Sequence, residues 1–333
     1  MAELVTFGEI MLRLSPEDGR RMFQNDIMRS CFGGSEANVA SLCSMFGVST
    51  EFVSRLPDNV IGEAAICHLH RCGTGVSHIV RDDGRMGVYY YEKGAGQRPA
   101  TCLYDRAGSS FSRSDKKDYD WERILRGASV FHVSGITPAL SSGLSDITLD
   151  ACMTARRLGV TVSCDLNYRA KLWDREKAYD TMRKILPNVD IFTSSVYQAN
   201  DIFGSGADIT FPDKACVDTA KQLYETFGPK IIALTVRKTL SADKNAFYGM
   251  ISSGGKAYFS KKYETQIVDR VGSGDAYQGA LLYSFIKGRD LSYATELAAA
   301  AAVLKHSVEG DTAYLTLTET EALAAGTDGR IQR

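Results

Sequence analysis

The sequence has no apolar run approaching the ~20 residues that a membrane-spanning helix needs. Its start, Met1-Ala2-Glu3, has none of the basic character of a secretory leader. Net charge is -1, so nothing in the balance favours a polyanionic partner such as nucleic acid. Eight cysteines are scattered without a C-x-x-C pair, and several, including Cys43 and Cys164, fall in apolar periodic stretches. That usage predicts buried free thiols in a reducing compartment, the cytoplasm. Five histidines offer no metal-ligand spacing. His68 and His70 are two apart on an expected helix and point to different faces, while His132 reads as a core histidine in an apolar strand. No repeat and no low-complexity segment interrupts the chain. What remains is ordinary globular composition, 44% hydrophobic and 24% charged over 333 residues, which one large α/β unit accommodates.

The chain opens with a strand-like run, Leu4 to Gly8, then a polar, basic stretch from Arg13 to Arg29 without clear periodicity. Cys31-Phe32-Gly33-Gly34-Ser35-Glu36-Ala37-Asn38 turns into a helix running to about Phe46, with Gly47 as its stop. This corner is either an ordinary strand–turn–helix junction or a ligand-facing one, with Asn38 one turn in. Gly87 to Glu92 and Thr101 to Arg106 read as two aromatic strands joined by a Gly- and Pro-containing loop. Such a hairpin either forms a lid or packs its tyrosines on the body.

Beyond Trp121 the rhythm is strand then helix. Val130–Ser134, Thr161–Asp165, Asp190–Thr193 and Lys230–Thr235 alternate with amphipathic segments Ser141–Leu158, Asp174–Leu186 and Asp213–Phe227. That alternation predicts a parallel sheet covered on both faces, with ligands beyond the carboxyl ends of its strands. Asp165, Asn167 and Arg169 stand at one such end. Ala246 to Ser260 reads as a β-hairpin, Asp290 to Ser307 as an alanine-rich helix, and the tail after Gly326 as frayed.

Between these last elements lies Asp269-Arg270-Val271-Gly272-Ser273-Gly274-Asp275-Ala276, a glycine turn feeding a helix. Its unpaired N–H groups and helix dipole suit an anion. Asp275 would repel a phosphate, yet it makes sense beside a hydroxyl whose proton leaves as a phosphoryl group arrives. A lone G-x-G-D more often just caps a helix. The Gly33-Gly34 corner and the strand-end Asp165 to Arg169 run are what raise the catalytic reading.

Gly33-Gly34 with Asn38, and Asp269 through Gly279, resemble the two signatures of the ribokinase family, the pfkB carbohydrate kinases. The resemblance covers nearly the whole chain, with Ser273 where the family usually has alanine. It implies a ribokinase-like, doubly wound α/β fold, its mostly parallel sheet covered by helices on both faces. It further implies a single domain, 1–333, with a small β-sheet lid from segments about 12–32 and 85–108. ATP and Mg²⁺ are the implied cofactors, and the family's lids can pair two copies into a homodimer. Asp269 and Val271 match places where the family often holds a monovalent cation.

Within the family the chain resembles the 2-keto-3-deoxygluconate kinases. They hold substrate through positions like Gly34, Tyr89, Tyr104, Asp105 and Arg106. Arg169 matches the arginine that meets the sugar-acid carboxylate, and Asp311 a further ligand; Asn38 and the base Asp275 complete this set. The implied nucleotide set is Asn167, Thr235, Arg237, Gly272, Ser273 and Gly274. Two departures stand out: Ser195-Val196-Tyr197-Gln198 replaces an N-x-x-E motif that supports magnesium, and Thr235-Val236-Arg237-Lys238 replaces a glycine-rich turn. The expected activity is ATP-dependent phosphorylation of the sugar acid's terminal hydroxyl. A fructokinase-like enzyme for neutral sugars and a non-catalytic sugar-acid binder are the alternatives, the second motivated by Gln198.

Overall fold

The computed structural model describes residues 1–326 apart from Asp18 and Asn25, so the tail expected to fray lies outside the described residues. In chain order the strands are β1 (Leu4–Phe7), β2 (Met11–Pro16), β3 (Met28–Gly33), β4 (Thr50–Pro57), β5 (Ile79–Asp82), β6 (Val88–Glu92), β7 (Thr101–Asp105), β8 (Val130–Ser134), β9 (Thr161–Asp165), β10 (Ile191–Ser195), β11 (Ile231–Ser241), β12 (Lys244–Ser253), β13 (Lys256–Phe259) and β14 (Tyr263–Gln266). The helices are α1 (Ser35–Met45), α2 (Val60–Arg71), α3 (Trp121–Leu125), α4 (Ile136–Ala139), α5 (Ser142–Arg157), α6 (Arg175–Ile185), α7 (Val196–Phe203), α8 (Pro212–Phe227), α9 (Ser273–Ile286), α10 (Leu291–Lys305) and α11 (Leu317–Ala325).

Ten strands make one sheet in the order β13-β12-β11-β10-β9-β8-β1-β4-β5, with β14 also paired to β12. From β11 to β5 the pairing is parallel, and β12 to β14 add an antiparallel edge. The pleat divides the core in two, because successive side chains face opposite sides of a strand. Val5, Phe131, Phe192 and Ile232 join the aromatic-rich core beneath α5, α6, α7 and α8. Their neighbours Leu4, Val130, Ile191 and Ala233 join the core with α1, α9 and α10. Helix α9 is apolar nearly all round because α1, α10 and the sheet enclose it. The parallel sheet covered on both faces that the strand–helix rhythm predicts, and the doubly wound fold that the resemblance implies, are thus the observed architecture.

A separate four-stranded sheet runs in the order β3-β2-β6-β7. Two of its strands correct the sequence reading, since the stretch from Arg13 to Arg29 contains most of β2 and the start of β3. In β2, Met11, Arg13 and Ser15 share a buried face. A buried charge in the apolar register hid the alternation. Strand β11 likewise continues past Thr235 to Ser241, pairing with β12. The small sheet lies across the carboxyl ends of the large sheet's strands, tied there by Lys171 Nζ donating to the Cys102 carbonyl at 2.9 Å.

Candidate active site

The site grows from the start of α9. Gly272 caps this helix at φ 84°, where an L side chain is strained, and a Cβ there would lie 2.1 Å from the Asp311 carbonyl oxygen. The next glycine, Gly274, faces open space. Between them the first N–H groups of the helix have no acceptors within it, so the turn offers donors and a positive dipole end to an anion.

Asp275 is on the first turn. Its carboxylate accepts from Ser35 Oγ at 2.8 Å and Asn38 Nδ2 at 2.7 Å, both from the start of α1. Asn167, held at φ 37° beyond β9, donates to Ser35 Oγ at 3.0 Å and completes the relay. Burial pushes the Asp275 carboxyl above the ordinary value, opposed by the two hydrogen bonds and the Arg169 charge. Asp165, at the end of β9, is pushed up to about 7, first by burial and then by the nearby charge of Asp275. A base whose pKa is raised toward neutrality accepts a proton more readily.

In front of this carboxylate stand cations. The backbones of Arg169 and Arg237 are paired, but their side chains make no hydrogen bond or ion pair among the described residues. The Arg237 pKa is pulled down, first by partial burial and then by the charges of Arg270 and Arg169. Like charges gathered without a salt-bridged carboxylate suit an anionic group such as a phosphate or a carboxylate. Arg270 donates to the Ala242 carbonyl at 3.0 Å, which holds the cluster near the β11–β12 hairpin. A groove of about 500 Å³ opens beside Arg270, between that hairpin and β7. Thr235 lies at the edge of this region, its hydroxyl 3.5 Å from the Ser194 carbonyl.

A second, buried charge cluster joins the small sheet to the glycine turn. Arg13 reaches Asp269 at 2.7 Å and Asp311 at 2.9 Å, and lies 4.3 Å above the Tyr91 ring. Burial acts against its charge, but the two carboxylates outweigh burial and raise its pKa. Tyr89 donates to Asp311 at 2.5 Å. Tyr104 stacks on Tyr89 at 5.7 Å, and the Arg106 guanidinium lies 5.8 Å from the Tyr104 ring.

Not every expected residue joins the group. Asp105 turns to the opposite face of β7 and pairs with Arg85 at 2.8 Å on the surface, as strand alternation requires for the residue between Tyr104 and Arg106. Arg106 is brought to the site, but a buried ion pair with Glu9 already neutralises it. Gly34 has a packing reason of its own: a Cβ would lie 1.9 Å from the Glu9 carbonyl oxygen. Asn38 serves the carboxylate of Asp275, so its amide is a positioning group. Gln198 donates through Nε2 to the Tyr168 carbonyl at 3.2 Å, leaving Oε1 directed elsewhere. Sequence reasoning missed Arg13, Ser35, Glu9 and Arg270. Only the alternation of Met11, Arg13 and Ser15 could have flagged the first.

Residues 1–317 match the family described as pfkB family carbohydrate kinase. The crystal structure of the 2-dehydro-3-deoxygluconokinase of Thermotoga maritima is similar at a TM-score of 0.94 and 43% identity, over 97% of this chain and 98% of that one. The 2-dehydro-3-deoxygalactonokinase of Haloferax volcanii is 35% identical over 336 residues, covering 100% of this chain and 99% of the relative. A 2-dehydro-3-deoxygluconokinase of Thermoproteus tenax is 27% identical over 317 residues, with 93% and 90% covered.

Proposed function

The chain belongs to the pfkB family of carbohydrate kinases, and on that premise we propose that it transfers the γ-phosphoryl group of ATP to the terminal hydroxyl of 2-dehydro-3-deoxygluconate (2-keto-3-deoxygluconate). One observation carries the reading: a guanidinium with no side-chain hydrogen bond or ion pair, Arg169, acts electrostatically on a half-buried, hydrogen-bonded carboxylate, Asp275, at a glycine-lined helix start. A sugar acid offers a group for each, a carboxylate for the fork of Arg169 and a hydroxyl for Asp275. A neutral sugar leaves the arginine unsatisfied. The family assignment favours a catalytic kinase over a non-catalytic binder.

In this reading Asp275 takes the hydroxyl proton late, as the oxygen begins to bond phosphorus, because even a raised aspartate remains far more acidic than an alcohol. The N–H groups of Gly272, Ser273 and Gly274 stabilise the transferring group, assisted by Arg237 and Arg270. The small sheet acts as a lid that keeps water from competing. Among the described residues no cluster of acidic or histidine ligands could cage a metal. Magnesium would arrive as Mg-ATP, with Asp165 and Asn167 as supporting oxygen donors, and would neutralise phosphate charge when bound. The outer strand β7, with Leu103 62% exposed, supports pairing of two small sheets in a homodimer. Free cysteines throughout the described residues support a reducing, cytoplasmic setting.

The test is an ADP-release assay with Mg-ATP across sugars and sugar acids, including both the gluconate- and galactonate-type epimers named by the relatives. Turnover on a 2-dehydro-3-deoxy sugar acid well above that on fructose or ribose is expected. Faster turnover on a neutral sugar would overturn the sugar-acid assignment and leave the kinase class standing.

A further inference from the structure

Family resemblance implies a monovalent cation near Asp269 and Val271, and the donor set of this chain does not fit one. Lys305, the last residue of α10, is buried, and its stem turns inward beneath the glycine turn. Its Nζ donates to the Val308 carbonyl at 2.9 Å and to the Asp269 carbonyl at 3.5 Å. No carboxylate forms an ion pair with it among the described residues, so its hydrogen bonds go to backbone oxygens, the ligands a bare monovalent ion would use. A Cβ on Gly272 would sit 3.3 Å from Lys305 Cε, which puts this cation directly behind the turn that faces Asp275.

Charge counting gives the same answer from a different direction. The buried cluster holds Asp269 and Asp311 against Arg13 and Lys305, two carboxylates and two cations. Asp269 spends its carboxylate on Arg13 and on the N–H groups of Val271 at 3.1 Å and Gly310 at 3.1 Å, which leaves its carbonyl to the ammonium. Burial acts against the Lys305 charge, while the carboxylates of Asp269, Asp311 and Asp275 favour it. An added ion would compete for carbonyls that Lys305 already occupies and would lie beside its buried ammonium, and like charges held together out of water are costly.

We propose that Lys305 is a tethered cation, a positioning residue that fills the carbonyl site behind the glycine turn and frees the enzyme from any need for a monovalent ion. It acts through the loop carrying Asp269, Val271 and Gly272, not on substrate. The side chain is a compact point charge on a flexible stem, suited to replacing a small ion. Its kinetic arm rests on the kinase reading above; its stability arm needs no substrate.

The experiment compares wild type, Lys305→Ala and Lys305→Met in potassium, ammonium and tetramethylammonium chloride at matched ionic strength. Wild type should show the same melting temperature and kcat/KM in all three salts. Lys305→Ala, which opens room for an ion and leaves the cluster one charge short, should lose roughly 10–100-fold in kcat/KM in tetramethylammonium. Potassium or ammonium should restore much of that loss and raise its melting temperature. Lys305→Met, which fills the space without charge, should be impaired in every salt. A wild type that melts higher or turns over faster with potassium overturns the proposal, and that arm stands even if neither variant folds. Equal impairment of Lys305→Ala in all salts, in melting as in kinetics, also overturns it. Failure of the sugar-acid reading shows up only in the substrate panel and leaves the melting comparison intact.

Discussion

Replacing Arg169 with alanine separates substrate recognition from structure more cleanly than any other change in this site. The Arg169 guanidinium has no hydrogen bond or ion pair among the described residues, and its carbonyl, which accepts from Leu172 and Trp173, survives the substitution, so the loss orphans no partner. Stability should therefore move by no more than ~0.5 kcal/mol, about a degree in melting temperature for a chain of this size. The carboxylate of a bound sugar acid would lose charge-assisted hydrogen bonds worth ~1.5–3 kcal/mol, or roughly 10–150-fold in kcat/KM. A second effect has a definite sign. The Arg169 charge favours the ionised form of Asp275, so removing it raises the Asp275 pKa further. The acidic limb of the pH profile should then shift to higher pH. Steady-state kinetics on the sugar acid and on a neutral sugar, across pH, with melting curves alongside, provide the readout. Arg169→Lys should recover only part of the loss, because a point charge cannot reproduce the planar fork. An equal loss on both substrates, or a loss that follows melting temperature, would refute the carboxylate clamp.

Other outcomes follow from the same geometry. Asp275→Asn should lower kcat by ~10²–10⁴ with a much smaller change in KM, as measured by initial rates; more than about half the turnover remaining would remove the base assignment. Arg13→Met should destabilise by about 3–5 kcal/mol in denaturant titration, because buried Asp269 and Asp311 lose their cation; a neutral effect would mean the cluster adjusts by protonation. The Asp165 carboxyl is raised from 3.8 to about 7, so the folded state holds its proton while the unfolded chain releases it, and stability falls as pH rises through that window. Asp165→Asn cannot ionise, so its melting temperature should gain on wild type between pH ~4 and ~7 and level off above. The shift corresponds to roughly 4 kcal/mol at most, nearer ~1–2 after allowance for solvent at its cleft edge. A constant difference across pH would contradict the assignment.

The parts of this molecule readable from sequence are those where local pattern and tertiary role agree. The apolar runs from Val130 to Thr235 alternate with amphipathic segments, and the sheet follows that order. The glycine turn before Asp275 was legible for the same reason, since glycine, dipole and carboxylate all sit within one short stretch. The unreadable parts set the local pattern against the fold. Arg13 is a charge in a core register of β2, so its strand read as polar coil, although it links the small sheet to the turn. Asp105 and Arg106 could not both face a ligand from one strand, and alternation alone predicts which of the two turns away. Lys305 falls near the end of the alanine-rich helix expected from Asp290 to Ser307, and nothing in that pattern marks it as buried. Its inward course is set by the carbonyl of Val308, three residues on, and by that of Asp269, which no local pattern links to it.

The most direct test is the position of the phosphate in the product. Incubation of the protein with Mg-ATP and 2-dehydro-3-deoxygluconate, followed by phosphorus and proton NMR, identifies the oxygen that received the phosphoryl group. The account predicts a single phosphate monoester on the terminal hydroxyl, one product for each ADP formed. Phosphate on another oxygen, or inorganic phosphate with the sugar acid unchanged, would contradict it.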